Sequence, residues 1–185
     1  MSHVFAVDLA SYPRLLLITD AAMNLYPGID EKRDIAQNSI DLALAMGIEQ
    51  PRVAILSAVE TVTPAIRSTI DAAALCKMAD RGQIRGALLD GPLAFDNAVS
   101  PSAALEKGIT SPVAGQADIL LVPDLEAGNM LAKQLEYLAG AQMAGIVLGA
   151  RIPISLTSRA DGVLSRLVSC ALVSLVARAR QLQLS

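Results

Sequence analysis

Histidine, cysteine and tryptophan are almost absent from this sequence. Its 185 residues include one histidine, two cysteines and no tryptophan. Because the single histidine is His3, near the start of the chain, histidine base catalysis and a His-ligated zinc site are both disfavoured. Cys76 and Cys170 lie in apolar helical patterns without CxxC or Cys/His spacing, so neither a metal site nor a disulfide is expected. We therefore expect a reducing cytoplasm, with proton transfer left to a carboxylate, a lysine or a tyrosine.

An excess of basic charge and a long hydrophobic run are also missing. Lysine and arginine are scattered through a chain of net charge −3, so no cationic face for nucleic acid is expected. The most apolar run, residues 167–177, is shorter than the ~20 residues that cross a bilayer, and it lies between Arg166 and Arg178. The first residues show no secretion leader. We expect a protein that binds neither nucleic acid nor membrane.

The residues that are abundant favour an α/β fold. The chain is 53% hydrophobic but only 3% aromatic, so its core must be aliphatic. Short aliphatic runs alternate with longer segments whose apolar residues recur every three to four positions, as in βα units. The prediction is one three-layer sandwich of helices on a mostly parallel or mixed sheet. Strands are predicted at 15–19, 53–57, 87–90, 117–122, 144–148 and, at an edge, 152–156; helices are predicted at 30–46, 64–80, 101–108, 130–138 and 161–181.

Ligands of open α/β sheets gather beyond the carboxyl ends of strands, and polar stretches follow four of the predicted strands, at 57–60, 90–97, 123–129 and 156–161. In the third, Gly128 and Asn129 stand at a predicted helix start, where free N–H groups favour an anion such as phosphate. Lys133, one turn on, adds a positive charge. The alternative is an ordinary asparagine cap. Asp90 and Asp96 in the second stretch fix no separation, so metal or glycosidase chemistry is disfavoured there.

The fourth stretch combines a hydroxyl, a guanidinium and a carboxylate within four residues. Arg159 is suited to hold a phosphate bidentately. Ser158 is suited to donate to an oxyanion at an acyl carbon, and Asp161 to take a proton from a thiol. These are the groups that acyl transfer to or from phosphate requires. The alternative is a helix cap made by Ser158 and Asp161, with Arg159 solvated or paired to Asp161.

Residues 111–141, SPVAGQADILLVPDLEAGNMLAKQLEYLAGA, resemble the signature segment of the phosphate acetyl/butyryltransferase family, in which a strand, a Pro-Asp-Leu turn and a Gly-Asn pair recur. The resemblance continues through residues 71–100 and 145–159 and extends from about Ser2 to the final helix. It is closest to the butyryltransferase-like branch. The resemblance implies an isocitrate dehydrogenase-like fold, coenzyme A, acyl-CoA and phosphate as substrates without a further cofactor, and a homodimer.

The resemblance also implies residue roles. Ser158 and Arg159 match the family's Ser-Arg pair, while Ser165 occupies the place of its carboxylate base, which leaves Asp161 as the nearest substitute. The candidate catalytic residues are therefore Ser158, Arg159 and Asp161, and the candidate substrate-binding residues are Ser57, Gly128, Asn129 and Lys133.

The resemblance covers only the carboxyl-terminal portion of the family pattern. Residues 1–157 are expected to form the second, substrate-cleft and dimerisation domain, and residues 158–185 an active-site turn and helix that belong to the first. Two alternatives to an acyltransferase stay open. One is a fragment that folds and dimerises without turnover, and the other is a metal-dependent dehydrogenase of the related fold, for which neither clustered aspartates nor a dinucleotide motif is evident.

Overall fold

The computed structural model of the protein describes residues 1–158 and 161–184. The elements are, in chain order, β1 (Ser2–Asp8), β2 (Leu16–Thr19), α1 (Ile29–Ala45), β3 (Arg52–Leu56), α2 (Arg67–Asp80), β4 (Leu88–Leu93), α3 (Phe95–Val99), α4 (Pro101–Glu106), β5 (Ile119–Leu121), α5 (Leu125–Leu138), β6 (Gln142–Leu148), β7 (Ile154–Ser155) and α6 (Val163–Leu184).

The strands form one mixed sheet in the order β4-β3-β5-β2-β1-β6-β7. β4, β3, β5 and β2 are parallel neighbours. β1 is antiparallel to both β2 and β6, and the short edge strand β7 is antiparallel to β6. Because Val4 of β1 lies opposite Thr19 of β2, the start of β1 reaches the edge of the sheet where the parallel strands end. The α/β class and the edge position of the last strand are confirmed.

Helices cover both faces of the sheet. Leu17 and Ile119 pack with residues of α1, α2 and α6 on one face, whereas Ile18 and Leu120 pack on the other face with residues of α3 and α5. Successive strand residues therefore face opposite layers and are all buried, which is why the central strands read as continuous aliphatic runs. The expected three layers are confirmed.

The predicted start of α2 and the predicted end of β4 are wrong. α2 begins at Arg67 and not at Pro64, because Thr69 holds residues 63–66 in a turn: its hydroxyl accepts the N–H of Thr63 at 2.9 Å and donates to the carbonyl of Ile66 at 2.7 Å. β4 continues through the Gly91-Pro92 pair instead of ending there. A proline is tolerated because β4 is an edge strand.

The final helix, α6, is only partly covered. Leu172 and Val176 join the core against the sheet, whereas Val163, Leu164 and Leu167 are 60–75% exposed. Within the described ranges, no helix is long and apolar enough to cross a membrane. The helix thus packs one stripe against this chain and leaves a second apolar stripe open.

Candidate active site

A cleft of about 260 Å³ lies between α5 and the segment that follows β7. Four of the candidate residues line it together, namely Asn129, Lys133, Ser158 and Asp161. Phe5, Ala132, Met143 and Leu156 give it apolar walls. The fold thus brings two stretches that are separate in sequence to the same place.

Ser158 and Asp161 are joined by two hydrogen bonds shortly before α6 begins. The backbone N–H of Ser158 donates to Oδ2 of Asp161 at 2.7 Å, and the N–H of Asp161 donates to the carbonyl of Ser158 at 3.1 Å. The Ser158 side chain is exposed at the cleft. Asp161 therefore bonds the backbone of Ser158 and also lines the cleft. Arg159 lies outside the described residues, so its role stays a prediction.

The polar wall opposite Ser158 is one face of α5. Asn129, Lys133 and Glu136 follow one another at intervals of four and three residues, which places them on the same side of a helix. The Asn129 amide donates to the carbonyl of Ala21 at 3.3 Å, and Lys133 Nζ donates to Glu136 Oε2 at 2.8 Å. The bond to Glu136 raises the pKa of Lys133, and the negative charge of Asp161 acts in the same direction. Lys133 is thus a fixed cation on this wall.

The predicted helix start at Gly128 and Asn129 is wrong. α5 begins at Leu125, and its cap is Asp124, whose carboxylate accepts the N–H of Ala127 at 2.9 Å. The N–H of Gly128 is already bonded to the carbonyl of Asp124 at 3.1 Å. The proposed anion site on free N–H groups at this pair is therefore not formed, because the helix begins at an earlier cap.

Gly128 has a packing role instead. A Cβ atom at this position would lie 2.6 Å from Cγ2 of Val122 and 3.0 Å from Cβ of Ala21. The missing side chain therefore lets α5 approach the ends of β2 and β5 closely, and this approach sets the height of Asn129 and Lys133 over the sheet.

Ser57 lies apart from the cleft. Its hydroxyl is 2.8 Å from that of Ser68, and its N–H donates to the carbonyl of Leu93. Four strands separate β3 from β7, which corresponds to roughly 24 Å at the usual strand spacing. Ser57 and Ser158 therefore do not join in one site.

A second cavity, of about 350 Å³, lies near Ser57 at the ends of β3 and β5. Its wall contains an ion pair between Lys32 and Asp71, 2.7 Å apart and largely buried. Among the described residues, no group of three or more histidine, cysteine, aspartate or glutamate side chains could hold a metal ion.

Sequence reasoning set His3 aside, but the fold places this residue in the cleft. It lines the cleft beside Leu156 and Ser158, is almost fully buried, and meets the Phe5 ring edge-on at 4.3 Å between centroids. Burial lowers its pKa below the ordinary value. The apolar run at residues 4–7 was the available signal, since a strand there places residues 3, 5 and 7 on one face.

The chain matches one protein family along most of its length. Residues 1–174 fit the family described as phosphate acetyl/butaryl transferase. A cleft lined by Ser158 and Asp161 at one wall of an α/β sandwich agrees with that match. The chain belongs to this family.

Named relatives include both acetyl- and butyryltransferases. A phosphate acetyltransferase of Rhizobium meliloti is 64% identical over 98% of this chain and 57% of its own length. A phosphate butyryltransferase of Clostridium acetobutylicum is 50% identical over 96% of this chain and 59% of its own. The chain thus spans little more than half the length of these relatives.

A solved structure carries the same fold. The crystal structure of a branched-chain phosphotransacylase from Enterococcus faecalis V583 superposes with a TM-score of 0.86 at 34% identity. The match covers 95% of this chain and 62% of that one. The fold prediction is thereby confirmed.

Proposed function

We propose that this chain provides one wall of the active site of an enzyme that exchanges a short acyl group, such as acetyl or butyryl, between coenzyme A and inorganic phosphate. The observation that carries the proposal is the meeting of Ser158 and Asp161 with Asn129 and Lys133 around one cleft, in a member of the phosphate acetyl/butaryl transferase family.

In the proposed reaction the sulfur of coenzyme A attacks the carbonyl carbon of an acyl phosphate. Asp161 takes the thiol proton, a C–S bond forms, and the bond from carbon to the phosphate oxygen breaks, so that phosphate leaves with the electron pair. The Ser158 hydroxyl donates to the oxyanion that forms in between, and Arg159 holds the departing phosphate. The reverse direction uses the same groups. No step requires a metal or a covalent enzyme intermediate.

The other lining residues suit the two ends of the substrate. The positive charge of Lys133 and the amide of Asn129 offer donors to phosphate or to polar parts of coenzyme A. Phe5, Ala132 and Met143 offer an apolar surface for a short acyl chain. The relatives include both an acetyltransferase and a butyryltransferase, which is compatible with an acyl chain of either length.

We also propose that residues 158–184 contribute to a second structural unit of the whole protein. The open stripe of α6, with Val163, Leu164 and Leu167, supports this, because apolar surface of this extent marks an interface. Tyr137 and Leu138 at the end of α5 are similarly exposed and support a homodimer. The two free cysteines, Cys76 and Cys170, agree with a cytoplasmic location.

The test is thiol release from acetyl-CoA and butyryl-CoA in the presence of phosphate, measured on the protein that contains this chain. Arg159→Ala is expected to lower turnover by about a hundredfold or more, because it removes the positive charge that would stabilise the transferring phosphate. Arg81→Ala, an exposed arginine at the end of α2, is the matched control and should leave turnover unchanged. Equal turnover in the two variants would refute the phosphate role of Arg159, and a folded wild-type protein without turnover would refute the proposed function.

A further inference from the structure

Gly145 in β6 is the point at which β1, α6 and the segment after β7 converge. A Cβ atom on Gly145 would lie 2.2 Å from the carbonyl oxygen of Leu156 and 2.8 Å from Nε2 of His3. The N–H of Gly145 donates to the hydroxyl of Ser169 in α6 at 3.0 Å. The His3 ring and the Leu156 carbonyl therefore occupy together the space that a side chain would otherwise fill.

The Nε2 edge of the His3 ring adjoins that carbonyl. Burial lowers the pKa of His3, whereas the negative charge of Asp20 and a hydrogen bond to the Leu156 backbone raise it less strongly. Since Nε2 is the nitrogen on the Leu156 side, the proton of the neutral ring belongs there. Nδ1 is buried and has no hydrogen-bond partner within the described ranges. A second proton on Nδ1 would have no acceptor, so the geometry favours the neutral ring.

His3 itself is held firmly. Its carbonyl accepts the hydroxyl of Thr19 at 2.8 Å, and its ring packs against Phe5. β1 pairs along its whole length with β6. The ring is therefore anchored to the sheet through β1.

The segment that His3 contacts leaves the sheet just after β7. β7 ends at Ser155, and Leu156 keeps one bond to the sheet, from its N–H to the carbonyl of Gly145 at 3.3 Å. Two residues further on lies Ser158, which is exposed at the cleft. Ser158 is thus tied to residue 156 through the backbone on one side and to Asp161 by hydrogen bonds on the other.

We propose that His3 is a positioning residue for the acyl-transfer site: its neutral imidazole donates from Nε2 to the Leu156 carbonyl and thereby sets the position of Ser158 at the cleft wall. This inference rests on the proposed function, because Ser158 is the group that it serves. His3 does not touch the reacting atoms and acts only through the backbone of residues 156–158.

The experiment compares three substitutions in the protein that contains this chain. Glutamine places its amide nitrogen near the position of Nε2, asparagine near that of Nδ1, and leucine removes both donors. We expect His3→Leu to lower kcat by about ten- to a hundredfold, as misplaced catalytic groups do, with KM for acyl-CoA changed by less than about twofold. His3→Gln should restore most of kcat, and His3→Asn should not. Thermal unfolding of each variant reports on folding.

The outcomes separate this inference from the proposed function. If wild-type protein turns over, Arg159→Ala does not, and His3→Leu is as active as wild type, the positioning role of His3 is overturned and the function stands. Equal losses in His3→Gln and His3→Asn, each in proportion to lost thermal stability, would also overturn it, since they would show a purely structural role. The comparison of His3→Gln with His3→Asn keeps the test decisive if His3→Leu fails to fold. A folded wild type without turnover would overturn both proposals.

The pH profile adds a readout that a structural role would not move. The charged groups that face His3 or share its cleft are Asp20 at the end of β2, Lys133 and Glu136 of α5, and Asp161. All four remain in the glutamine variant, whereas the imidazole does not. Turnover of the wild type should therefore fall further than that of His3→Gln between pH 7 and pH 5. Identical profiles would contradict the requirement for a neutral ring.

Discussion

At the scale of single residues, the cleft depends on small groups that let others approach. Gly145 leaves room for the His3–Leu156 contact, and Gly128 leaves room for α5. Sequence reasoning identified Gly128 but assigned it to a helix start, because Gly-Asn is a common turn pair and Asp124 is an equally good cap. Only the packing of α5 against Ala21 decides between them. Ser158 and Asp161 were accessible to sequence reasoning because their relation is local.

Gly128→Ala should destabilise the protein despite the better helix propensity of alanine. Alanine gains up to about 1 kcal/mol in an open helix position, but here its methyl group would lie 2.6 Å from Val122, and overpacking of that kind costs about 1–3 kcal/mol. Urea unfolding would measure a lower free energy of unfolding. Gly162→Ala is the control, since a Cβ atom there meets nothing within 4 Å. A Gly128 variant as stable as the control would show that α5 can shift freely.

Burial of His3 should make stability depend on pH. The folded state holds its pKa below the ordinary 6.5, so the contribution is complete above about pH 6.5 and declines as the pH falls below that value, by up to about 1.4 kcal/mol per pH unit. Unfolding free energies of wild type and His3→Gln, measured at pH 7 and pH 5.5, should therefore show a steeper loss for the wild type. Parallel losses in the two proteins would contradict a depressed pKa.

At the scale of elements, α1 shows where sequence patterns succeed. Its buried Ala36, Ile40 and Ala43 form the predicted stripe, and Gly47 ends it with a φ of 90°, a conformation that suits glycine. β1 was not predicted, because its polar Ser2 and His3 are buried by distant partners. The cleft likewise joins α5 to the turn after β7, and no local pattern specifies that meeting.

The buried pair of Lys32 in α1 and Asp71 in α2 gives an element-scale prediction. Lys32→Met should lower the free energy of unfolding by about 3–5 kcal/mol, because it leaves the Asp71 charge buried with only the exposed Arg67 nearby, at 3.9 Å. The double change Lys32→Met with Asp71→Leu should cost much less. Lys77→Met, which breaks an exposed pair with Asp80, is the control and should cost under about 1 kcal/mol. Equal effects of the two lysine changes would contradict the burial argument.

At the scale of the whole molecule, composition alone indicated the architecture. An aliphatic chain with scattered charge and alternating βα patterns favours helices on both faces of a sheet, and the mixed seven-stranded sheet follows that expectation. The strand order was not predictable, because it depends on β1 entering between β2 and β6. The most apolar run of the sequence, residues 167–177, lies within α6, which agrees with a helix that carries apolar residues beyond the stripe packed against the sheet.

The antiparallel placement of β1 has a consequence for folding. It pairs residues as distant in sequence as Ser2 and Leu148, and contacts of such long range carry a high entropic cost before they form. The contact between His3 and Leu156 is of equally long range and adds to this entropic cost. We therefore expect the α1–β3–α2–β4 region to assemble early from short-range contacts and the cleft to be completed late, when β1 meets β6 and the segment after β7.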